Sequence, residues 1–292
     1  MKFGTSYAYW GREWSCDYIA LTRKCAELGF DVLEIGADHL YHMTDEQIAE
    51  LKAVGAECGL EFSTNSGPSK DNDFASPDPA VRKHGVEYFA QVLKNMHKLG
   101  SRILVGAIYS YWPADYVLTD KKAAWERSIA CLQVLGKTAE ELDIEIALEV
   151  LNRNETYILT DCAEAIDYVH QVGCSKIDIL LDTYHMNIEE DNMYDAIRKA
   201  GPLLGHLHVG ECNRKLPGMN NSINWPEIGR ALRDIHYDKY VVMEPFILEG
   251  GAVGHDIRVW RDLSGNATAE QMDKLIADSL VFLKKCCLGI GG

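Results

Sequence analysis

The feature that most constrains this chain is a unit repeated about eight times: a short run rich in β-branched residues, a polar or glycine-bearing turn, then a longer amphipathic stretch. A period of two that switches to a period of 3.6 is the pattern of βαβ units, in which crossover helices connect parallel strands. The runs predict strands over Phe3–Ala8, Val32–Gly36, Leu60–Thr64, Arg102–Gly106, Ile144–Val150, Lys176–Asp182, Leu203–Val209 and Lys239–Glu244. Helices are predicted where Thr44 precedes Gln47 at capping-box spacing, where Asp78-Pro79 puts proline in a first turn, and over Thr119–Leu142, which carries apolar residues at helical spacing. Gly29, Gly59, Gly100 and Gly173 stand where a left-handed residue ends a helix. No GxGxxG follows the first strand and no Pro/Ser-rich or charged linker divides the chain. Even alternation therefore points to one α/β domain, residues 1–292, closed as a (β/α)8 TIM barrel rather than an open dinucleotide-binding sheet.

Composition narrows the partners. With 47% hydrophobic and 25% charged residues, the chain has the apolar mass for a sizeable core. Its formal net charge of -15 repels polyphosphate, so no nucleic acid partner is expected and a small uncharged substrate fits better. Met1 to Trp10 shows no basic segment followed by an apolar one, and no run approaches the roughly 20 apolar residues of a membrane span. No membrane partner and a cytoplasmic location are expected. The nine cysteines are scattered, odd in number and without a Cys-x-x-Cys pair, which reads as reduced and structural. Cys212 stands beside Glu211 near the proposed site, but a free cysteine packs as a small apolar residue.

Catalytic residues of such barrels come from the C-terminal ends of the strands, so polar residues that close apolar runs are the ones to collect. The fifth predicted strand ends in Glu149, the sixth in Asp182, the seventh in His206 or His208, and the eighth in Glu244. Ala147 shares parity with Glu149, Leu180 with Asp182 and Val242 with Glu244, consistent with one inward face. Three crowded carboxylates raise each other's pKa unless a cation sits among them, and oxygen donors with one imidazole suit Mn²⁺, Mg²⁺ or Co²⁺ better than structural zinc. His208 lies nearer the mouth than His206 and is the preferred ligand. Following loops carry Asn152, Arg153 and Glu155, then His185, then Glu211 and Arg214, all candidates to hold a polyhydroxylated ligand. The stretch Tyr109-Ser110-Tyr111-Trp112-Pro113, with Tyr7, Trp10 and Trp14, is a candidate aromatic wall. Gly250, Gly251 and Gly254 have no lysine beside them and read as a turn rather than a phosphate cradle.

At these residues the sequence resembles the ketose 3-epimerases, the family of D-tagatose 3-epimerase and D-psicose (D-allulose) 3-epimerase. The resemblance runs nearly end to end through GPSK (67–70), YSYWP (109–113), LEVLNR (148–153), LLDTYHMNIEED (180–191), GPLLGH (201–206), GECNRK (210–215), VVMEPF (241–246) and VWRDLS (259–264). It implies a xylose isomerase-like barrel that inverts free ketoses at C3 with Mn²⁺ or Co²⁺, as a homodimer or homotetramer. By motif position it implies Glu149, Asp182, His208 and Glu244 as metal ligands, Glu149 and Glu244 also as acid and base, and Glu155, His185 and Arg214 as groups holding the ketose near C1 to C3. Trp112, Tyr7, Gly67 and Ala107 are the further substrate contacts it implies.

The chain departs from the family pattern at Ser6 before Tyr7, at Asn154 after Asn-Arg, at Val105-Gly106 and over Leu216–Asn224. These departures bear on substrate preference more than on reaction type; D-psicose, D-tagatose, D-fructose and L-ribulose are the candidates. Rival readings are an aldose-ketose isomerase or inosose dehydratase on the same barrel, or a sugar-binding protein without activity. Two glutamates flanking one metal favour epimerisation, and binding alone needs neither as a base. A metal-dependent AP endonuclease would show several metal-binding histidines and a basic groove.

Overall fold

The computed structural model describes residues 1–115 and 120–290. Eight parallel strands close into a barrel in chain order: β1 (Lys2–Ser6), β2 (Val32–Gly36), β3 (Glu61–Ser66), β4 (Ile103–Gly106), β5 (Glu145–Glu149), β6 (Ile177–Asp182), β7 (Leu204–Val209) and β8 (Tyr240–Met243). The ring closes where Phe3 and Gly4 of β1 pair with Val241 and Val242 of β8.

Strands of such a barrel are covered on both faces, so alternate residues pack under the helices or into the barrel. Leu33, Ile35, Leu104, Ile146, Leu148, Leu181 and Leu207 join the large core between sheet and helices. Ile103, Val105, Ala147 and Leu180 form a separate cluster with Tyr240 packed against it, an apolar plug inside the barrel. The plug's parity, carried further along the strands, places Glu149, Asp182 and Glu244 at the C-terminal mouth. Between β6 and β7 the register shifts at Ile179/Leu180, which leaves Asp182 directly opposite His208.

The helix signals are also present. Thr44 and Gln47 form a complete capping box on the helix Asp45–Cys58, and Pro79 opens Pro79–Leu99 behind an Asp78 cap. Gly29, Gly59, Gly100 and Gly173 all have positive φ.

Every strand but Val32–Gly36 departs from its expected bounds by one or two residues. β1 stops at Ser6, because the Ser6 side chain accepts a hydrogen bond from Ala8 N and turns the chain into a short 3-10 helix, Tyr7–Trp10. The glycines after β8 do more than turn: Gly250 caps a short helix, Gly251–Asp256. The helix Lys121–Leu142 begins behind an Asp120 cap, and Thr119, its expected start, lies outside the described residues. Among the described residues no helix is long and apolar enough to cross a membrane.

Gly106 closes β4 with φ 115°, and a Cβ there would lie 2.1 Å from the Ser66 carbonyl oxygen. A side chain must therefore distort the β3–β4 pairing at the mouth. Gly106→Ala is expected to destabilise the chain by roughly 2–5 kcal/mol in urea unfolding, from backbone strain plus overpacking; wild-type stability in that variant would show that the edge of the barrel yields freely.

Candidate metal centre and substrate pocket

Four strand ends supply the centre of the site. Glu149, Asp182, His208 and Glu244 are all buried, and each offers one donor atom such that all four atoms lie within 4.8 Å of one another. His208 Nδ1 is 3.3 Å from Glu149 Oε1 and 3.7 Å from Glu244 Oε1. Asp182 also caps the helix Thr183–Glu189: its Oδ1 accepts from Tyr184 N at 2.8 Å, leaving Oδ2 for the cluster.

The electrostatics of this group fit a divalent cation. Burial, together with the negative charges of Glu149 and Asp182, pushes the Glu244 carboxyl up to about 8 against the pull of His208 and Arg214. Burial opposes the charged form of His208, yet Glu34 and Glu244 raise its pKa well above the ordinary value. A cation among these donors would remove the carboxylate repulsion and compete with the proton on His208. Three carboxylate oxygens with one imidazole are a donor set suited to a divalent cation.

Beside the cluster, Arg214 is buried and faces the carboxylates, with Nη1 3.3 Å from both Asp182 Oδ2 and Glu244 Oε2. Its backbone is left-handed, φ 63°, and its guanidinium stacks over Tyr184 with Cζ 3.7 Å from the ring centroid. Arg214 Nε has no hydrogen-bond partner among the described residues. His185 Nε2 lies 3.5 Å from Arg214 Nη2, while its Nδ1 accepts from Asn152 N at 3.0 Å. Glu155 accepts from Trp112 Nε1 at 2.8 Å; burial would raise its carboxyl, but His185 and Arg214 hold it below the usual range.

These groups face a cavity of about 390 Å³. Tyr7, Gly67, Ala107, Trp112, Glu155, His185 and Arg214 all line it, as do Glu149, Glu244 and Trp14. Trp14 stands edge-on to Trp112 and to Phe246, with ring centroids 6.2 and 6.1 Å apart. Gly67 explains itself by close approach, since a Cβ there would sit 2.8 Å from the Trp112 ring.

Several candidates fall elsewhere. Trp10 is carried away from the mouth by the 3-10 helix and donates to Asp273 at 2.6 Å. Tyr109 is buried behind the wall and donates to the Glu149 carbonyl. Arg153 is exposed and pairs with Glu189, and Asn152 supports His185 from behind. Glu211 turns into its own loop, where it accepts from Gly218 N, Ser222 N and Oγ, Ile223 N and Trp225 Nε1. Cys212 is outside the cavity lining, its N–H donating to Ser222 Oγ.

Residues missed by the sequence reading include Glu34 and Asn65, inward residues of β2 and β3. Glu34 Oε1 lies 2.9 Å from His208 Nε2, and Asn65 Nδ2 donates to Glu34 and to Glu244. The signal for Glu34 was present, a lone carboxylate in the apolar run VLEIG. Gly36 at the end of β2, the first residues of the helix Ala37–His42 through His39, and Phe246, Asp256 and Ile257 also line the cavity.

The family described as xylose isomerase-like TIM barrel matches residues 22–263. A D-psicose 3-epimerase of Ruminiclostridium cellulolyticum is 47% identical over 97% of this chain and 96% of its own. The crystal structure of D-psicose 3-epimerase with D-tagatose from Clostridium cellulolyticum H10 is 46% identical, with a TM-score of 0.97 over 98% of this chain and 99% of that one. A D-psicose 3-epimerase structure in the presence of D-fructose is 42% identical, also with a TM-score of 0.97 and the same coverage of both chains.

The loop anchor gives a stability prediction. Burial opposes ionisation of Glu211, but Ser222, Trp225 and backbone N–H groups lower its pKa below the ordinary 4.5. The stabilisation is therefore fully present above that unfolded value and is lost as pH falls through the lower folded one. Glu211→Gln is expected to cost roughly 2–3 kcal/mol at neutral pH, where an amide N–H₂ replaces an acceptor. In urea unfolding across pH the gap to wild type should narrow as acid protonates Glu211; a gap that stays constant down to acid unfolding contradicts the assignment.

Proposed function

The chain belongs to the ketose 3-epimerase family of xylose isomerase-like TIM barrels and is an isomerase of the epimerase class, and from this premise we propose that it inverts C3 of free ketoses with Glu149 and Glu244 as its acid and base. The observation that carries the reading is that these two buried glutamates both line the cavity and both approach His208 Nδ1, at 3.3 and 3.7 Å.

Glu149, Asp182, His208 and Glu244 would hold the cation, Mn²⁺ or Co²⁺ with Mg²⁺ as a further candidate. When bound, it supplies the positive charge that stabilises an enediolate formed by loss of the C3 proton, which is acidic because it lies α to the C2 carbonyl. Inversion needs a base on one face of C3 and an acid on the other. One glutamate takes the proton at a carboxylate oxygen while the other, protonated, returns one to the opposite face. Glu155, His185 and Arg214 are the groups that would orient the ketose oxygens near C1 to C3, and the unpartnered Arg214 Nε supports this role. Trp112 and Tyr7, with Gly67 and Ala107, would exclude water around the carbon chain. D-psicose, D-fructose, D-tagatose and L-ribulose are the candidate substrates. The reading includes a single-domain chain, 1–292, working in the cytoplasm as a homodimer or homotetramer.

The test is NMR of D-fructose in D₂O with chelator-stripped protein, before and after adding Mn²⁺. Deuterium at C3 and appearance of D-psicose only after Mn²⁺ are expected, with Glu149→Gln and Glu244→Gln lowering the rate about 10²–10⁴-fold when Mn²⁺ content is matched. Aldose or a dehydrated product, or saturable binding without C3 exchange across the candidate ketoses, would sink the reading.

A further inference from the structure

Within the barrel, behind the cluster, Glu34 is fully buried on β2 and surrounded by polar groups of four other residues on β3 and β7. Ser63 Oγ donates to its Oε2 at 2.9 Å, His208 Nε2 meets its Oε1 at 2.9 Å, and Asn65 Nδ2 donates to the same Oε1 at 3.2 Å. His206 Nε2 lies 3.2 Å from Oε2, off the line of a well-formed hydrogen bond. Asn65 Nδ2 also donates to Glu244 Oε1 at 3.1 Å, so one amide nitrogen joins two carboxylates.

We infer that Glu34 and Asn65 are positioning residues, which together set the His208 ring and the Glu244 carboxylate for the cation site. An imidazole whose Nε2–H is given to a carboxylate has its Nδ1 lone pair free, and here Nδ1 is the nitrogen facing Glu149 and Glu244. Asp182 already has a local anchor in the helix it caps, through Tyr184 N. His208 and Glu244 are oriented instead from β2 and β3, across the barrel wall. The inference rests on the reading of Glu149, Asp182, His208 and Glu244 as a cation site.

A competing arrangement uses the same atoms. Glu34, His206 and His208 also bring donor atoms within 4.8 Å of one another, so Glu34 could ligate a second cation. The Ser63 and Asn65 donors already directed at both Glu34 oxygens favour the positioning role, because a ligating carboxylate would meet the cation along those directions.

The experiment is a Mn²⁺ titration of the chelator-stripped full chain, following free Mn²⁺ by EPR, with thermal unfolding of the metal-free chain alongside. Wild type should bind one Mn²⁺. Glu34→Ala should bind it about 10–100-fold more weakly, Asn65→Ala should also bind it more weakly, and Glu34→Gln, which keeps an acceptor for His208 Nε2–H, should recover part of the loss. A residue with a merely structural role would lower the unfolding temperature and leave the affinity of the folded chain unchanged. Glu34→Ala within twofold of wild type overturns the inference; if that variant does not fold, wild-type affinity in both Glu34→Gln and Asn65→Ala does so. Two Mn²⁺ in wild type falling to one in a Glu34 variant makes Glu34 a ligand and overturns it as well. A wild-type chain that binds no Mn²⁺ removes the cation site and the inference together, whereas normal binding in wild type with no effect of the variants removes the inference alone.

Discussion

Three carboxylates and an imidazole share one buried point at the barrel mouth, and the surrounding architecture is arranged around that electrostatic load. Burying like charges side by side is costly, and burial together with Glu149 and Asp182 pushes the Glu244 carboxyl upward. The register shift between β6 and β7 sets Asp182 opposite His208. Arg214, in its left-handed turn, brings a permanent positive charge to within 3.3 Å of Asp182 and Glu244. Each feature draws negative charge toward one point or offsets part of the repulsion there, which suits a divalent cation and a substrate whose reaction develops negative charge.

Much of this was legible in the sequence because barrel strands obey a period of two. Ala147 with Glu149 and Leu180 with Asp182 share a face by spacing alone, and the structure puts Ala147 and Leu180 in the interior plug directly below those carboxylates. Glu34 obeys the same rule on β2, between Leu33 and Ile35, but it lies outside the run of four consecutive strands whose ends were collected. Its importance comes from cross-barrel contact with His208, 174 residues away, which no local pattern carries.

Glu211 and Trp10 failed for a different reason. A carboxylate three residues before Arg214 can turn toward the pocket or toward its own loop, and the choice depends on which donors wait on each side. The segment Leu216–Asn224 folds back and presents backbone N–H groups at Gly218, Ser222 and Ile223, so Glu211 is spent inside its loop. Trp10 was grouped with Tyr7 and Trp14 as an aromatic wall, whereas the Ser6 cap starts a 3-10 helix, Tyr7–Trp10, that leaves Tyr7 on the cavity and sends the Trp10 ring to Asp273. Side-chain direction beyond a strand end follows loop geometry, which hydrophobic periodicity does not encode.

The opposite end of the barrel shows what the same residue types do when no ligand is wanted. There Asp178 meets Lys239 at 2.8 Å, Asp143 meets Lys176 at 2.5 Å and Arg102 at 3.4 Å, and Glu61 accepts from Tyr240 and pairs with Lys2. Several of these groups are half-exposed, so water shares the charge and each pair contributes little to stability. At the C-terminal mouth Glu34, Glu149, Asp182 and Glu244 are buried and Glu155 is partly so, and they face Arg214 and three histidines, whose charge depends on protons. Negative charge at the bottom is neutralised by the chain itself; at the mouth it is only partly offset. The difference follows from strand direction, since parallel strands deliver their C-terminal side chains to one end, and that end is where a cation has most to contribute.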